Sequence, residues 1–278
     1  MKVFKSKTEL ATYLKGKTNI GFVPTMGALH KGHISLIKLS LEQCQYTICS
    51  IFVNPTQFND KNDLLRYPRT PEKDIKMLEE AGCDIVFVPE NDEIYPEGDV
   101  LKEFDFGHLE TVMEGKQRPG HFNGVANVVQ RLFEIVKPQK AFFGQKDYQQ
   151  LCIIKQMVKQ LQLPIEIVAA EIIREPDGLA MSSRNALLET EERKQAAGIF
   201  ETLQLIKSKS KELTPTQLLQ LANDNIKKYP LIHPEYIVFA NAETLQETII
   251  FDKNISIIMF IAVKLVKVRL INNMLLAS

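Results

Sequence analysis

The 278-residue chain has no tryptophan, has cysteine at only four positions, and shows no excess of either charge. The last of these absences excludes the most. With 34 basic against 34 acidic side chains, no net field draws the whole molecule to nucleic acid or to a membrane surface. Any anion has to be held locally. Cys44, Cys49, Cys83 and Cys152 form no Cys-x-x-Cys pair and lie in apolar runs, so they read as small core residues rather than a zinc site or a disulfide framework. The opening MKVFKSKTEL lacks an apolar stretch of signal-peptide length, and the greasiest run, Ile255 to Val263, is too short to span a bilayer. A cytoplasmic protein without a membrane or nucleic-acid partner is the expectation.

Three motif absences narrow the chemistry. There is no Gly-x-x-x-x-Gly-Lys-Ser/Thr loop, no Gly-x-Gly-x-x-Gly after a strand, and no Gly-x-Ser-x-Gly elbow. These disfavour a P-loop ATPase, a dinucleotide redox enzyme and a serine hydrolase in turn.

What the chain does have is an alternation of strand and helix patterns. Apolar runs at Ile20 to Val23, Tyr46 to Val53, Asp84 to Val88, Lys140 to Phe143 and Ile165 to Ala170 predict strands. Between them, Ile34, Ile37, Leu41 and Cys44 fall on one helical face, as do Val125, Val128, Leu132 and Ile135, and likewise Leu151, Ile154 and Leu161. Thr70-Pro71 predicts a helix start with Thr70 as N-cap, and Gly82 its end. Such alternation predicts a doubly wound α/β domain with a parallel, Rossmann-like sheet over residues 1–175. After Glu175-Pro176-Asp177-Gly178 come two polar helical stretches, the second opening at Thr214-Pro215, and strand-like runs at Tyr236 to Phe239 and Ile255 to Leu270. These predict a smaller α+β lid domain over 176–278.

In open parallel sheets, ligands bind beyond the carboxyl ends of the strands. The polar segments at those ends carry the unusual residues. The first is Pro24-Thr25-Met26-Gly27, leading to His30 and His33; the others are Asn54 to Gln57, Phe143 to Gln150, and Arg174 with Met181 to Asn185. For the two histidines, zinc would require a third ligand, and helix-borne zinc pairs favour i,i+4 spacing. A satisfied core histidine accounts for either one alone. Two imidazoles with Gly27 and Gly32 at a strand-to-helix turn also fit a phosphate seat, where free backbone N–H groups and the helix dipole attract an anion. Lys146 reads equally as a second anion contact or a solvated lysine, and Ser182-Ser183-Arg184 as a phosphate loop or a plain turn.

Six segments run in order between residues 24 and 185: PTMGALHKGH, FVNPTQF, YPRT, RPGHFNGV, FGQKDYQQL and REPDGLAMSSRN. Together they resemble the pantothenate synthetase (pantoate–β-alanine ligase) family, which joins pantoate to β-alanine using ATP. The His-x-Gly-His element alone marks only the wider nucleotidyl-transferase superfamily. The resemblance implies that Met26, Gly27, Ala28, Leu29, His30, Lys31, Gly32 and His33 line an ATP site, with His33 as the proton-donating residue and His30 and Lys146 acting beside it. It adds Gly144, Gln145, Asp147, Ile173, Met181, Ser182, Ser183 and Arg184 as further nucleotide contacts. Gln57 and Gln150 match pantoate-binding glutamines, and Gln57 also borders β-alanine. Neutral amides suit a carboxylate that must attack, since an arginine would hold it and quench it. Magnesium accompanying ATP, with no ligand assigned, and a homodimer are implied as well.

The chain departs from the family pattern twice: Gln145 stands where Glu is usual, and the closing Arg-Leu-Ile-Asp-Asn reads Arg269-Leu270-Ile271-Asn272-Asn273. Two other readings stay open at this level, a nucleotidyl transferase that never forms an amide and a regulatory nucleotide-binding module.

Overall fold

The computed structural model describes residues 1–252 and 254–276. Apolar runs too short for helices become strands, and the amphipathic stretches between them become the crossovers that parallel strands require. The chain begins with β1 (Lys2–Phe4), α1 (Lys7–Leu14), β2 (Ile20–Thr25), α2 (Lys31–Gln43) and β3 (Tyr46–Ile51). It continues through α3 (Lys61–Arg66), α4 (Pro71–Glu80), β4 (Ile85–Phe87), α5 (Asn91–Ile94), α6 (Met113–Gln117) and α7 (His121–Val136). Then come β5 (Lys140–Gly144), α8 (Tyr148–Gln160) and β6 (Glu166–Ala170). Met1–Gln145 and Gln149–Glu171 form the first of two compact units.

Its sheet has the order β1-β4-β3-β2-β5-β6, and every neighbouring pair is parallel. The chain steps from β2 outward through β3 to β4, then crosses back to place β5 on the other side of β2. That reversal puts a ligand crevice at the carboxyl ends of β2 and β5. Both faces are covered. Val23 of β2 packs with Leu36 and Ile37 of α2, with Leu78 of α4 in the same cluster. On the opposite face the Phe22 ring meets Phe133 of α7 edge-on at 6.2 Å. The edge strand β1 and the helix α1 have no counterpart among the expected elements; three residues are too short for an alternation to show.

The second unit comprises Lys146–Tyr148 and the chain from Ile172 onward. It contains α9 (Thr190–Gln195), α10 (Ala197–Lys209), α11 (Pro215–Ile226), β7 (Ile232–Asn241), β8 (Ile257–Leu265) and β9 (Val268–Leu275). The three strands form an antiparallel sheet in the order β7-β8-β9. Ile199, Leu203 and Ile206 of α10 and Leu218, Ala222 and Ile226 of α11 share one core with Ile257, Met259, Ile261 and Val263 of β8. The other face of β8 takes Tyr148, whose ring lies 5.9 Å from Phe260 and whose hydroxyl donates to the Ala242 carbonyl at 3.0 Å. These contacts account for the membership of 146–148, which was not anticipated. The unit division after Glu171 falls four residues before the expected boundary. The single strand expected over Ile255 to Leu270 is a hairpin instead. It turns at Val266, with φ of 49°, and Lys267, without the Asn-Gly or Asp-Gly pair that marks such turns.

All four cysteines are free thiols. Burial pushes Cys83 up to about 12 and Cys152 up to about 11, so these two are protonated and unreactive at neutral pH.

The approach of α2 to β2 at Gly21 tests the packing. A Cβ on Gly21 would lie 2.2 Å from Ser40 Oγ, itself hydrogen-bonded to Thr47 Oγ1, and 2.8 Å from Cys44 Sγ. Gly21→Ala is expected to lower stability by about 1–3 kcal/mol, read as an earlier urea midpoint. An unchanged midpoint would show that α2 can move away freely.

Candidate active site

The turn from β2 into α2 is held from beneath by one acid. Asp74 of α4, 1% exposed, accepts the Ala28 N–H on Oδ2 and the Leu29 N–H on Oδ1, both at 2.8 Å. Thr70 Oγ1 also donates to Asp74 Oδ1 at 3.1 Å. Thr70 therefore occupies the expected N-cap position of α4, with Pro71 next to it, while its hydroxyl goes to the carboxylate rather than to a backbone N–H of the helix. The loop needs this clamp, since Gly27 and Ala28 adopt φ of 79° and 49°, the second unfavourable for a residue with a Cβ. Gly27 also has no room to grow: a Cβ there would sit 3.0 Å from Asp74 Oδ2 and 3.1 Å from Ile51. From the sheet side, Thr25 Oγ1 donates to the Ser50 carbonyl at 2.7 Å and accepts the Gly27 N–H at 3.2 Å.

With the loop fixed, α2 opens on a capping box made of histidines. His30 is the N-cap, and its Nδ1 accepts the Gly32 N–H at 3.1 Å; His33 Nδ1 accepts the His30 N–H at 3.3 Å. The rings lie 4.1 Å apart between centroids. The first-turn amides expected to be open to an anion are thus partly taken by the imidazoles. Because each Nδ1 accepts from a backbone donor, the neutral rings carry their protons on Nε2. The positive end of the helix is handed on to two imidazole N–H groups.

The turn after β3 reaches the same rim. Phe52 N–H donates to the Thr25 carbonyl at 3.0 Å, and Gln57 Nε2 lies 2.9 Å from Met26 Sδ. Gln57 is 7% exposed, and its backbone is held by α7. His121 Nδ1 lies 2.8 Å from the Gln57 carbonyl and donates to it, which leaves His121 Nε2 to accept from Arg118 at 3.1 Å. Arg118 also donates to that carbonyl at 3.3 Å. Gly124 allows α7 to touch the turn, since a Cβ there would lie 2.4 Å from the Thr56 carbonyl oxygen.

In the second unit, Asn273 Nδ2 donates to the Lys146 carbonyl at 2.9 Å, and the Lys146 ammonium lies 3.4 Å from Asp147 Oδ1. Met181 is buried, and its N–H donates to the Ile173 carbonyl at 2.9 Å. Ser182 caps the short turn Ser183–Leu187 by accepting the Arg184 N–H at 3.3 Å. The loop before it is fixed by two arginines. Arg193 pairs with Asp177 and holds its carboxyl below the usual range. Arg174 donates to Gly178 O, Asn272 Oδ1 and Asn273 O, and lies over the Phe200 ring at 4.6 Å. Burial pushes the Arg174 pKa down.

The candidate residues therefore belong to both units. Met26, Gly27, Ala28, Leu29, His30, Lys31, Gly32, His33, Gln57, Gly144, Gln145 and Gln150 belong to the first; Lys146, Asp147, Ile173, Met181, Ser182, Ser183 and Arg184 belong to the second. Within the first, the segments after β2, β3 and β5 leave the same edge of the sheet. The neighbouring glutamines of α8 divide: Gln149 is buried, bonded to Glu114 N, Leu109 O and Val112 O, while Gln150 is half-buried. Sequence reasoning missed the roles of Asp74, Tyr95, Arg118, His121 and Gly124. For the last three the RPGHFNGV segment was a signal without an assignable chemistry; for Asp74, an acid on a helix surface pattern gave none.

A family model described as pantoate-beta-alanine ligase matches residues 2–275. The pantothenate synthetase of Azobacteroides pseudotrichonymphae is 49% identical over 278 residues, with 98% of this chain and 99% of the relative covered. The crystal structure of pantothenate synthetase from Thermus thermophilus matches with a TM-score of 0.96 at 37% identity, covering 100% of both chains. That of pantoate-beta-alanine ligase from Francisella tularensis, complexed with beta-gamma ATP and β-alanine, matches with a TM-score of 0.84 at 36% identity, covering 99% of this chain and 97% of that one.

Two substitutions test the supports. Asp74→Asn turns an amide donor toward one of the backbone N–H groups it now accepts, and is expected to lower stability by about 1–3 kcal/mol in thermal unfolding. An unshifted melting temperature would discount the clamp. At Asn272, Nδ2 is buried and has no hydrogen-bond partner among the described residues, while Oδ1 faces Arg174. Asn272→Asp removes the orphaned donor and neutralises the guanidinium, so its melting temperature is expected to rise; a fall would refute this account.

Proposed function

The chain belongs to the pantoate–β-alanine ligase family, and we propose that it performs the family reaction with the donors described above. It is an ATP-dependent ligase that condenses pantoate with β-alanine to give pantothenate, AMP and pyrophosphate. In the proposed first step a pantoate carboxylate oxygen attacks the α-phosphorus of ATP, and the bond to the pyrophosphate oxygen breaks. In the second, the amine of β-alanine attacks the acyl carbonyl of the pantoyl adenylate, loses a proton, and expels AMP.

Phosphoryl transfer of this kind needs positioning and charge stabilisation more than a protein nucleophile. The observation that carries the reading is the histidine capping box. It engages Nδ1 of both His30 and His33 with backbone N–H groups, so that a neutral ring carries its proton on Nε2, which supports His33 as proton donor and both rings as partners of phosphate oxygens. Lys146, Ser182, Ser183 and Arg184 are the further phosphate donors in this reading, with the loop Met26 to His33, Gly144, Gln145, Asp147, Ile173 and Met181 lining the nucleotide. Gln57 and Gln150 are proposed to hold pantoate, and Gln57 to border β-alanine.

Magnesium is proposed to arrive with the ATP phosphates. Among the described residues no group of three or more His, Cys, Asp or Glu is placed to hold a metal by itself, and Mg²⁺ commonly relies on substrate phosphates and water for most of its ligands. A cytoplasmic homodimer completes the proposal; no described helix is long and apolar enough to cross a membrane.

The test is pantoate-dependent exchange of labelled pyrophosphate into ATP. The wild type is expected to exchange without β-alanine and to turn over continuously only with it. His33→Ala is expected to slow the exchange about 10²–10³-fold, as for loss of one oxyanion-hole donor. Exchange at the wild-type rate in that variant would remove His33 from the chemistry.

A further inference from the structure

The way the Gln57 amide is turned follows from groups whose hydrogen-bonding sense cannot change. The Thr56 backbone N–H can only donate, and it donates to Asn54 Oδ1 at 3.3 Å. The Gly124 backbone carbonyl can only accept, and it accepts from Asn54 Nδ2 at 3.1 Å. Asn54, 1% exposed, therefore has a single orientation, and the same Nδ2 reaches Gln57 Oε1 at 3.1 Å. The oxygen of Gln57 is thereby turned toward Asn54 and accepts from it. Its nitrogen faces the Met26 sulfur, a weak acceptor that a ligand oxygen can replace.

Tyr95 reinforces this arrangement from behind. Its hydroxyl donates to Asn54 Oδ1 at 2.8 Å and lies 3.2 Å from Thr56 Oγ1, which is 3.0 Å from the same Asn54 oxygen. The phenol is itself held by the Phe52 ring at 6.3 Å and by the Arg131 guanidinium, 5.0 Å over its face. A flipped Asn54 would set its NH₂ against the Thr56 N–H and its oxygen against the carbonyl oxygens of Gly124 and Gln57.

We propose that Tyr95, acting through Asn54, is a positioning residue that steadies Gln57 in the orientation those backbone groups set, with its amide nitrogen as the atom offered to substrate, so that this position selects a carboxylate or hydroxyl oxygen of the substrate over an ammonium. The proposal rests on the reading of Gln57 as a substrate contact. Gln57 then meets pantoate through the substrate's oxygen lone pairs and borders β-alanine on its carboxylate side, leaving the amine unbound and free to attack.

Steady-state kinetics on the full chain with Tyr95→Phe, Gln57→Ala and the double variant provide the test. Tyr95→Phe is expected to raise KM for pantoate about 3- to 10-fold, the effect of one lost hydrogen bond, with KM for ATP unchanged. In the Gln57→Ala background it is expected to add less than about 2-fold, because the group it acts through is gone. A residue that merely braces the fold would cost the same in both backgrounds and would disturb ATP as well; either result overturns the proposal. Asn54→Asp, which keeps size and acceptors but loses both donations, is expected to repeat the pantoate-selective loss, and equal losses for ATP would count against the lock. If Gln57→Ala alone leaves pantoate kinetics at the wild-type level, the substrate contact itself is wrong, a failure distinct from that of Tyr95, and both readings fall.

Discussion

The carboxylate of Asp74 is the contact on which the functional loop depends. An acid removed from water is expensive unless donors replace the solvent, and here two consecutive backbone amides and one hydroxyl do so. In return the acid sustains a pair of left-handed residues, Gly27 and Ala28, that the loop would not keep unaided. It thereby decides where α2 begins. The placement of His30 and His33, and of Met26 against Gln57, follows from that one decision.

A common logic runs through the first unit: backbone groups, whose sense is immutable, dictate the polarity of side chains one or two bonds away. The amides of residues 30 and 32 take the Nδ1 atoms of the imidazoles, and the Thr56 amide with the Gly124 carbonyl orients Asn54 and then Gln57. In both chains of influence the atom at the far end is a donor, Nε2 of each neutral imidazole and Nε2 of Gln57. Such preorganised donors suit a reaction in which anionic reactants meet and negative charge moves onto a leaving group.

The sequence disclosed this architecture unevenly, for physical reasons. The inner parallel strands β2, β3, β4 and β5 are covered on both faces and so appear as continuous apolar runs, legible to within two residues at either end. β1 is too short for any period. The turn at Val266-Lys267 uses none of the residues that usually mark a hairpin, so two strands read as one. At the site, histidines beside glycines could be recognised as a seat for an anion, but their capping of α2 could not, because imidazole is not among the usual N-cap side chains. Asp74 was hidden for a different reason. Its partners are backbone amides 45 and 46 residues away, and a main-chain donor leaves no mark on composition or spacing.

β8 carries a further consequence. Ile257 to Val263 form an unbroken buried run with a high tendency to self-associate as naked strand. What keeps it from doing so is position: β7 and β9 occupy both its hydrogen-bonding edges, and the exposed Lys264 and Lys267 sit at its end as charged gatekeepers. The two-residue link to β9 closes one edge almost as soon as both strands exist, whereas the β7 edge waits on a longer connection. During refolding, that later edge is the one left open longer to a neighbouring chain.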